Sequence, residues 1–208
     1  MVAKSKNAKY LVNISEWCED IATCSGRMWV GIDPGLNGAL AFIEEGGKSR
    51  VLGVPVFKIK KGNKEKSEYD INFMSLAIKP FRGKNVIACQ ELTHAMPGNG
   101  NVSMYSFGRG HGLWEAFVVA NDIPIIFSLP QQWKKKYPSL IPKQRSQDPK
   151  EKQKIKAEAK KEALNLARSM FPHLNENLKR VSDDGKAEAL LIANYCKTLC
   201  EGQYDIYQ

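Results

Sequence analysis

The order of apolar and amphipathic segments in this chain predicts an α/β fold, a mixed five-stranded sheet flanked by helices. Three short apolar runs follow one another in the first part of the chain, joined by short glycine-containing turns. Two further apolar runs then alternate with segments of helical period. Runs joined by short turns pair antiparallel, and runs joined through helices pair parallel, so this order predicts a mixed sheet.

Residues 1–27 are predicted to be a separate N-terminal extension, because they precede the first strand and have a different pattern. A short amphipathic helix is expected there, since five apolar side chains fall on one helical face: Leu11, Ile14, Trp17, Cys18 and Ile21. The helix packs either on the body of the chain or on a partner subunit, and the sequence leaves both open.

The first half of the body, which starts at residue 28, is predicted to begin with an antiparallel meander. Its strands are expected at 29–33, 38–44 and 50–56. The lysine-rich segment 57–67 is then expected to be a solvated loop, and the looser apolar period of 69–80 predicts a helix.

The second half adds two buried strands, 85–91 and 123–130, separated by a Gly/Asn/Pro loop at 97–101 and a helix at 103–121. A basic loop at 134–147 leads into a helix that Asp148 is expected to cap. Pro149 would take the first helical position and Glu151 would complete a capping box. The later part of this helix is expected to face inward through Ala163, Leu164, Ala167, Met170 and Phe171. The last helix is expected to run from Ser182 or Asp183 to about Cys200. This succession is that of an RNase H-like fold.

The charge and the apolar content of the chain indicate which class of partner it binds. The chain has 208 residues, a formal net charge of +9 and 43% hydrophobic residues, which predicts a real core and a surface that favours polyanions such as nucleic acid. No apolar run is long enough for a membrane span, so no membrane partner is expected.

The five cysteines lie in apolar contexts and are expected to be reduced, which predicts an intracellular, cytoplasmic or nucleoid-associated protein. A zinc site joining Cys18 and Cys24 to Cys196 and Cys200 is disfavoured, because neither pair has CxxC spacing.

The candidate catalytic residues are acids at the ends of elements. Asp33 ends the first strand and Glu91 the fourth, while Asp184 and Glu188 are four residues apart on one helix face. In the predicted sheet the first and fourth strands are neighbours and the last helix can lie across them, so these acids are expected to converge at one sheet edge. Their convergence would be repulsive unless cations compensate it, and carboxylate oxygens suit Mg²⁺. One or two such ions, for which Mn²⁺ can substitute, would clamp a phosphodiester and activate the attacking water, so the acids predict phosphodiester hydrolysis. Asp183 competes with Asp184 for the ligand role, and the alternative role for either residue is to cap the helix.

Basic residues next to these acids are candidates for DNA contacts. Between residues 134 and 161 lie ten lysines and Arg145. We expect Lys134, Lys135 and Lys136 to contact phosphates and the distal lysines to be solvated. His94 and Met96 lie in a loop that follows Glu91 beside the predicted site. Such a loop either inserts a side chain into bound DNA or is an ordinary surface loop.

Four motifs in order resemble RuvC-type Holliday junction resolvases. They are GIDPG at 31–35, QE at 90–91, PQQWK at 130–134 and DDGKAEALLIA at 183–193. The run FGRGHGLWEA at 107–116 is similar to a helix of phage, bacterial and plant-organellar relatives. The resemblance covers about residues 28–200, whereas residues 1–27 have no counterpart.

The resemblance implies that 28–208 form an RNase H-like nuclease domain, acting as a homodimer that cuts four-way junction DNA by two symmetric hydrolyses. It implies Asp33, Glu91, Glu188 and Asp184 as catalytic metal ligands, with Asp183 as the alternative to Asp184, and two Mg²⁺ ions per site. Lys134 matches a basic residue that approaches the scissile phosphate. Further DNA contacts are expected from Lys135, Lys136, Arg109 and His94.

The predicted 103–121 helix is a candidate dimer face, because Gly108 and Gly112 are four residues apart and permit close helix approach. The alternative is that these glycines pack on the subunit's own sheet.

Other functions remain open at this level. They are an RNase H-like nuclease for other branched DNA or RNA–DNA hybrids, and a non-catalytic junction-binding protein. A sugar kinase or actin-like ATPase is disfavoured because 208 residues leave little room for a second nucleotide-binding lobe.

Overall fold

The structure, a computed structural model, describes residues 7–62, 64–92, 100–142 and 146–204. Within these ranges the chain forms seven strands: β1 (Met28–Asp33), β2 (Ala39–Glu44), β3 (Ser49–Gly53), β4 (Val56–Lys61), β5 (Lys64–Tyr69), β6 (Val86–Glu91) and β7 (Ile125–Ser128). The same ranges contain six α-helices: α1 (Asn7–Ala22), α2 (Ile71–Ile78), α3 (Asn101–Ala120), α4 (Pro130–Lys134), α5 (Pro149–Met170) and α6 (Asp184–Tyr204).

Five strands form the central sheet in the order β3-β2-β1-β6-β7. The first three strands are antiparallel, and β6 and β7 run parallel to β1. The predicted mixed five-stranded sheet and its opening meander are therefore confirmed. The predicted neighbourhood of the first and fourth apolar strands, β1 and β6, is confirmed as well.

Helices cover both faces of the sheet, because successive side chains of each strand point to opposite sides. Met28, Val30 and Ile32 of β1 pack in one core with apolar residues of α1, α2 and α3. On the opposite face, Trp29 packs with residues of α4, α5 and α6. Asp33 shares the side of Trp29, so the last helix faces the acid that ends β1.

Helix α1 packs on the body of its own chain. Trp17 is buried, donates its indole N–H to the Ala77 carbonyl at 2.9 Å, and lies edge-on to Phe42 with ring centroids 5.3 Å apart. Asp20 on the same helix pairs with Lys48 at 2.7 Å and also with Arg50. The predicted amphipathic helix is confirmed, while the division into an extension and a nuclease domain stays a prediction.

The prediction of a solvated loop at 57–67 is wrong. Strands β4 and β5 form an antiparallel hairpin in which Phe57 faces Glu68 and Ile59 faces Lys66. The alternation of these apolar residues with lysines is a strand pattern, and the high lysine content obscured it. The third strand also ends earlier than predicted, at Gly53.

Several smaller expectations needed correction. The strand predicted at 123–130 is shorter, and it is not fully buried: Phe127 is 40% exposed because β7 is an edge strand. Asp148 caps α5 as predicted. The predicted capping box is wrong, because the Asp148 N–H donates to Ser146 Oγ at 3.1 Å and not to the Glu151 side chain. Met170, predicted to face inward, is 36% exposed.

Helix α3 confirms the predicted helix at 103–121, and it resolves the alternative for its glycines. A Cβ atom at Gly108 or Gly112 would meet no atom within 4 Å among the described residues, so packing of these two on the chain's own sheet is wrong. Gly110 is the buried one: a Cβ there would stand 2.6 Å from the Pro34 carbonyl oxygen and 2.1 Å from the Tyr69 hydroxyl. The outer face of α3 is open.

The five cysteines are free thiols. Cys24 lies in the core on the α1 side of the sheet and Cys196 in the core under α6, so the sheet separates the pairs that a zinc site would need. In the described ranges no helix combines the length and the apolarity that crossing a bilayer requires. His94 and most of the predicted 97–101 loop lie outside the described residues.

We predict that Trp17→Ala lowers the free energy of unfolding by about 3–5 kcal/mol, because it empties a buried aromatic site and removes a hydrogen bond to Ala77. Urea unfolding measures this. Ser15→Ala, on the exposed side of the same helix, is the matched control and should change stability by less than about 0.5 kcal/mol. Equal stabilities of the two variants would mean that α1 contributes nothing to the core.

Candidate active site

The carboxyl ends of β1 and β6 meet at one sheet edge. The two strands are parallel neighbours with Ile32 opposite Gln90, so the acids that follow, Asp33 and Glu91, end the strands side by side. Both side chains are partly buried and belong to the sheet face that α6 covers. Strand pairing alone therefore brings together two of the predicted acids.

Gly31 allows α6 to lie directly on β1. A Cβ atom at Gly31 would stand 2.1 Å from the Ala189 carbonyl oxygen and 2.3 Å from the Ala193 nitrogen. These are helix backbone atoms, which a side chain cannot displace without moving α6. The glycine of GIDPG thus fixes the distance between the strand and the helix.

Gly185 makes a similar contact one turn earlier. A Cβ there would stand 2.2 Å from the Asn37 carbonyl oxygen, in the turn that follows Asp33. The start of α6 is therefore pressed against the end of β1 by backbone contacts at two levels. Asp184 and Glu188, on one face of this helix, are brought to the side of Asp33.

The ionisation of the acids reflects this proximity. Burial and the negative charges of Glu188 and Glu91 raise the pKa of Asp33 to about 8, although the Gly35 N–H donates to its Oδ1 at 3.3 Å. Burial and Glu188 likewise raise the pKa of Glu91 to about 7. Asp184 adds to the effect on Asp33. The structure thus brings the four predicted acids into one mutually repelling cluster.

Two lysines partly compensate this charge. Lys134 Nζ lies 3.1 Å from Glu188 Oε1, and Lys160 Nζ lies 2.5 Å from Asp184 Oδ2. The hydrogen bond to Asp184 raises the pKa of Lys160. The placement of Lys134 beside the acids agrees with the sequence analysis.

Sequence analysis missed Lys160, since it treated the distal lysines as solvated. A signal was present: Lys160 precedes the buried residues Ala163, Leu164 and Ala167 by three, four and seven positions, so it extends their helical stripe by one turn. That stripe faces α6, and the lysine at its end reaches the acid cluster.

Asp183 has a different environment from Asp184. Its carboxylate accepts from the Arg180 N–H and from Lys186 Nζ, both at 2.8 Å. Burial alone would raise the pKa of Asp183, but these hydrogen bonds outweigh it and hold the pKa below its usual value. Asp183 therefore caps the turn before α6. Of these two neighbouring acids, Asp184 is the one whose charge acts on Asp33.

The other predicted DNA contacts are spread more widely. Lys135 is exposed beside the site. Lys136 Nζ donates to the Asn194 carbonyl at 3.3 Å, and Arg109 pairs with Glu68 of β5 at 2.9 Å. Their DNA-binding roles stay predictions, and His94 lies outside the described residues.

The donor set fits a hard divalent cation by its chemistry, because all four acids offer carboxylate oxygens. In the described part of the chain, no three acidic, histidine or cysteine side chains are arranged to hold one ion as they stand. Glu188 and Asp184 are each drawn toward a lysine. A metal ion held by all four acids would have to displace these two ammonium groups from their carboxylates.

Comparison with solved structures relates this architecture to a known fold. Thermus thermophilus RuvC in complex with a Holliday junction substrate superposes with a TM-score of 0.51 at 16% identity, covering 85% of this chain and 96% of that one. This chain has the RuvC fold. A second structure of T. thermophilus RuvC gives a TM-score of 0.42 at 17% identity over 82% of this chain and 96% of that one. No family model matches the chain, and no curated protein matches it. The RuvC resemblance of the four motifs is thus confirmed at the level of the RNase H-like fold.

We predict that Gly31→Ala destabilises the protein by about 1–3 kcal/mol or more, because its methyl group would overlap the backbone of α6. Thermal and urea unfolding measure the loss. Gly53→Ala is the matched control in the same sheet, since a Cβ there meets only the end of the Lys186 side chain at 3.8 Å. An equal loss in both variants would show that the close contact of β1 with α6 is unimportant.

Proposed function

We propose that this protein is a divalent-metal-dependent, structure-selective endonuclease that cuts four-way DNA junctions as a homodimer. The observation that carries the proposal is the cluster of four acids at the ends of β1 and β6 and the start of α6, within the RuvC fold. Acids that repel one another at a partly buried sheet edge destabilise the fold. A site that binds a cation accounts for them, because the cation removes the repulsion.

Asp33, Glu91, Asp184 and Glu188 are the residues that would hold magnesium. Bound there, the metal would supply positive charge at the phosphodiester and a water of lowered pKa. The protein itself contributes the placement of the oxygens on two strands and a helix that backbone contacts hold together. Such rigid placement is what orients a scissile group for attack.

Lys134 and Lys160 are proposed to contact the reacting phosphate of the DNA. Each ammonium now neutralises an acid of the cluster, and each becomes available when a cation replaces it. An ammonium beside the reacting group stabilises the charge that develops on the phosphate oxygens. The two lysines thus keep the acids compensated without DNA and contact DNA when it binds.

The proposed dimer uses the outer face of α3. Tyr105 is 73% exposed and Val119 57% exposed, and the open positions Gly108 and Gly112 lie between them. A second copy of the helix could approach closely along these glycines. A two-fold axis here would give two sites for two opposed strands of one junction.

The net charge of +9 supports a DNA substrate over a small-molecule one, because phosphate neutralisation contributes most of the affinity of such proteins. Activity on RNA–DNA hybrids or linear DNA is the competing outcome, since the fold does not determine the substrate.

The deciding experiment compares cleavage of a mobile four-way junction, a duplex, a flap and an RNA–DNA hybrid in Mg²⁺. We expect paired nicks at mirrored positions in the junction only. Asp33→Asn should abolish these nicks and leave junction binding nearly unchanged, because it removes a metal ligand and no phosphate contact. Equal cutting of all substrates would reject junction selectivity, and turnover by the variant would remove Asp33 from the site.

We further predict that Lys134→Ala and Lys160→Ala each lower the single-turnover cleavage rate on the order of 10²-fold while changing junction affinity much less. Lys161→Ala is the matched control, because this exposed neighbour of Lys160 has the same charge and is assigned no DNA contact. A loss confined to affinity would reassign the two lysines to DNA docking.

A further inference from the structure

We propose that Trp133 is a positioning residue for the acid cluster: its indole N–H fixes one oxygen of Glu91 so that the other faces the metal site. The inference rests on the proposed metal-binding role of Glu91. Trp133 itself touches neither metal nor DNA in this assignment.

The contact is a direct hydrogen bond between two elements. Trp133 Nε1 donates to Glu91 Oε2 at 2.8 Å, which joins α4 to the end of β6. Trp133 is completely buried, whereas Glu91 is partly exposed. The donor is therefore fixed inside the protein, and the acceptor is the group that would otherwise be free to rotate.

Packing prevents the indole from turning away. Trp133 lies in the core under α6 with Cys89 of β6, and edge-on to Tyr137 with centroids 6.3 Å apart. The Tyr137 hydroxyl in turn donates to the Leu191 carbonyl of α6 at 2.8 Å. The position of the N–H is thus set by three elements at once: β6, α4 and α6.

The chemistry of indole suits this role. Its N–H donates one hydrogen bond, accepts none, and keeps its proton across the physiological range. It can occupy Oε2 permanently without carrying a charge that would repel a cation. Lys134 and Lys160 differ, because their ammonium groups compete with a metal ion for the acids.

The same short helix also orients Lys134. Its Nζ lies 4.8 Å from the centroid of the Trp133 ring and 3.1 Å from Glu188 Oε1. Two consecutive side chains of α4 therefore contact two different acids of the cluster. Loss of the indole would therefore remove the hydrogen bond to Glu91 and also the ring contact that orients Lys134.

The test measures metal affinity directly, using Mn²⁺ as the probe and its free-ion EPR signal as the readout. Trp133→Phe keeps an aromatic ring and removes the N–H, and we expect it to weaken Mn²⁺ binding about 10- to 100-fold, the usual effect of losing a group that orients a ligand. Trp114→Phe is the matched control. Trp114 is equally buried, but its indole N–H has no hydrogen-bond partner among the described residues. Equal affinities of the two variants would overturn the proposal.

A double-mutant cycle separates positioning from general packing. In a Glu91→Gln background, Trp133→Phe should add little further loss of Mn²⁺ affinity if it acts through the carboxylate. A fully additive loss would assign Trp133 a structural role and reject the proposal. Junction affinity without divalent ions should be the same for wild type and Trp133→Phe.

The unmodified protein gives an independent readout if Trp133→Phe does not fold. In a proton–nitrogen NMR spectrum, the Trp133 indole resonance should move on Mg²⁺ addition while that of Trp114 stays fixed. A stationary Trp133 resonance in a protein that binds Mg²⁺ would overturn the proposal. Because these readouts need no cleavage, failure of the endonuclease assignment would be distinguishable from failure of the Trp133 assignment.

Discussion

The backbone contact between β1 and α6 is the constraint on which the site depends. It exists because Gly31 has no side chain, so the helix lies on the strand at a distance that any Cβ would prevent. The acids of α6 approach Asp33 only as a consequence. Their repulsion is therefore imposed by the tight packing of apolar and glycine residues, including Ala187, Leu190 and Ala193 on the buried side of the helix. The core holds together a group of charges that would separate if they were free.

Compensation of this charge comes from two kinds of group. Lysines neutralise Glu188 and Asp184 through contacts that are partly exposed and easily exchanged. Trp133 stabilises the ionised form of Glu91 through a buried contact that stays in place, and it opposes the burial that raises the pKa of this acid. Asp33 accepts the Gly35 N–H at 3.3 Å. Burial and the negative charges of Glu188 and Glu91 outweigh this contact, so the pKa of Asp33 is raised further than that of Glu91.

Much of the fold was predictable because apolar period and turn residues act locally. The five central strands and the acids at their ends follow from runs such as NVIACQE. The β4–β5 hairpin was missed because its lysines resemble a solvated loop, although one of them, Lys58, donates across the two strands to Ser67 Oγ at 2.8 Å. The roles of Asp183 and Asp184 were not separable from sequence, because neighbouring residues differ only in the direction they face. Lys160 was missed because all the distal lysines of α5 were treated as solvated, although its position on the apolar stripe of that helix distinguishes it.

The contact between α3 and the site matters for the proposed function, because the fold alone does not determine the substrate. The inner face of α3 touches the turn after Asp33: Gly110 allows the close approach of the Pro34 carbonyl, and the Tyr69 hydroxyl donates to the same carbonyl at 3.2 Å. The outer face is open at Gly108 and Gly112. A dimer formed on that face would place one helix from each subunit between the two acid clusters. Their separation would then be set by packed backbone and not by mobile loops, as selection of two fixed phosphates in a branched substrate requires.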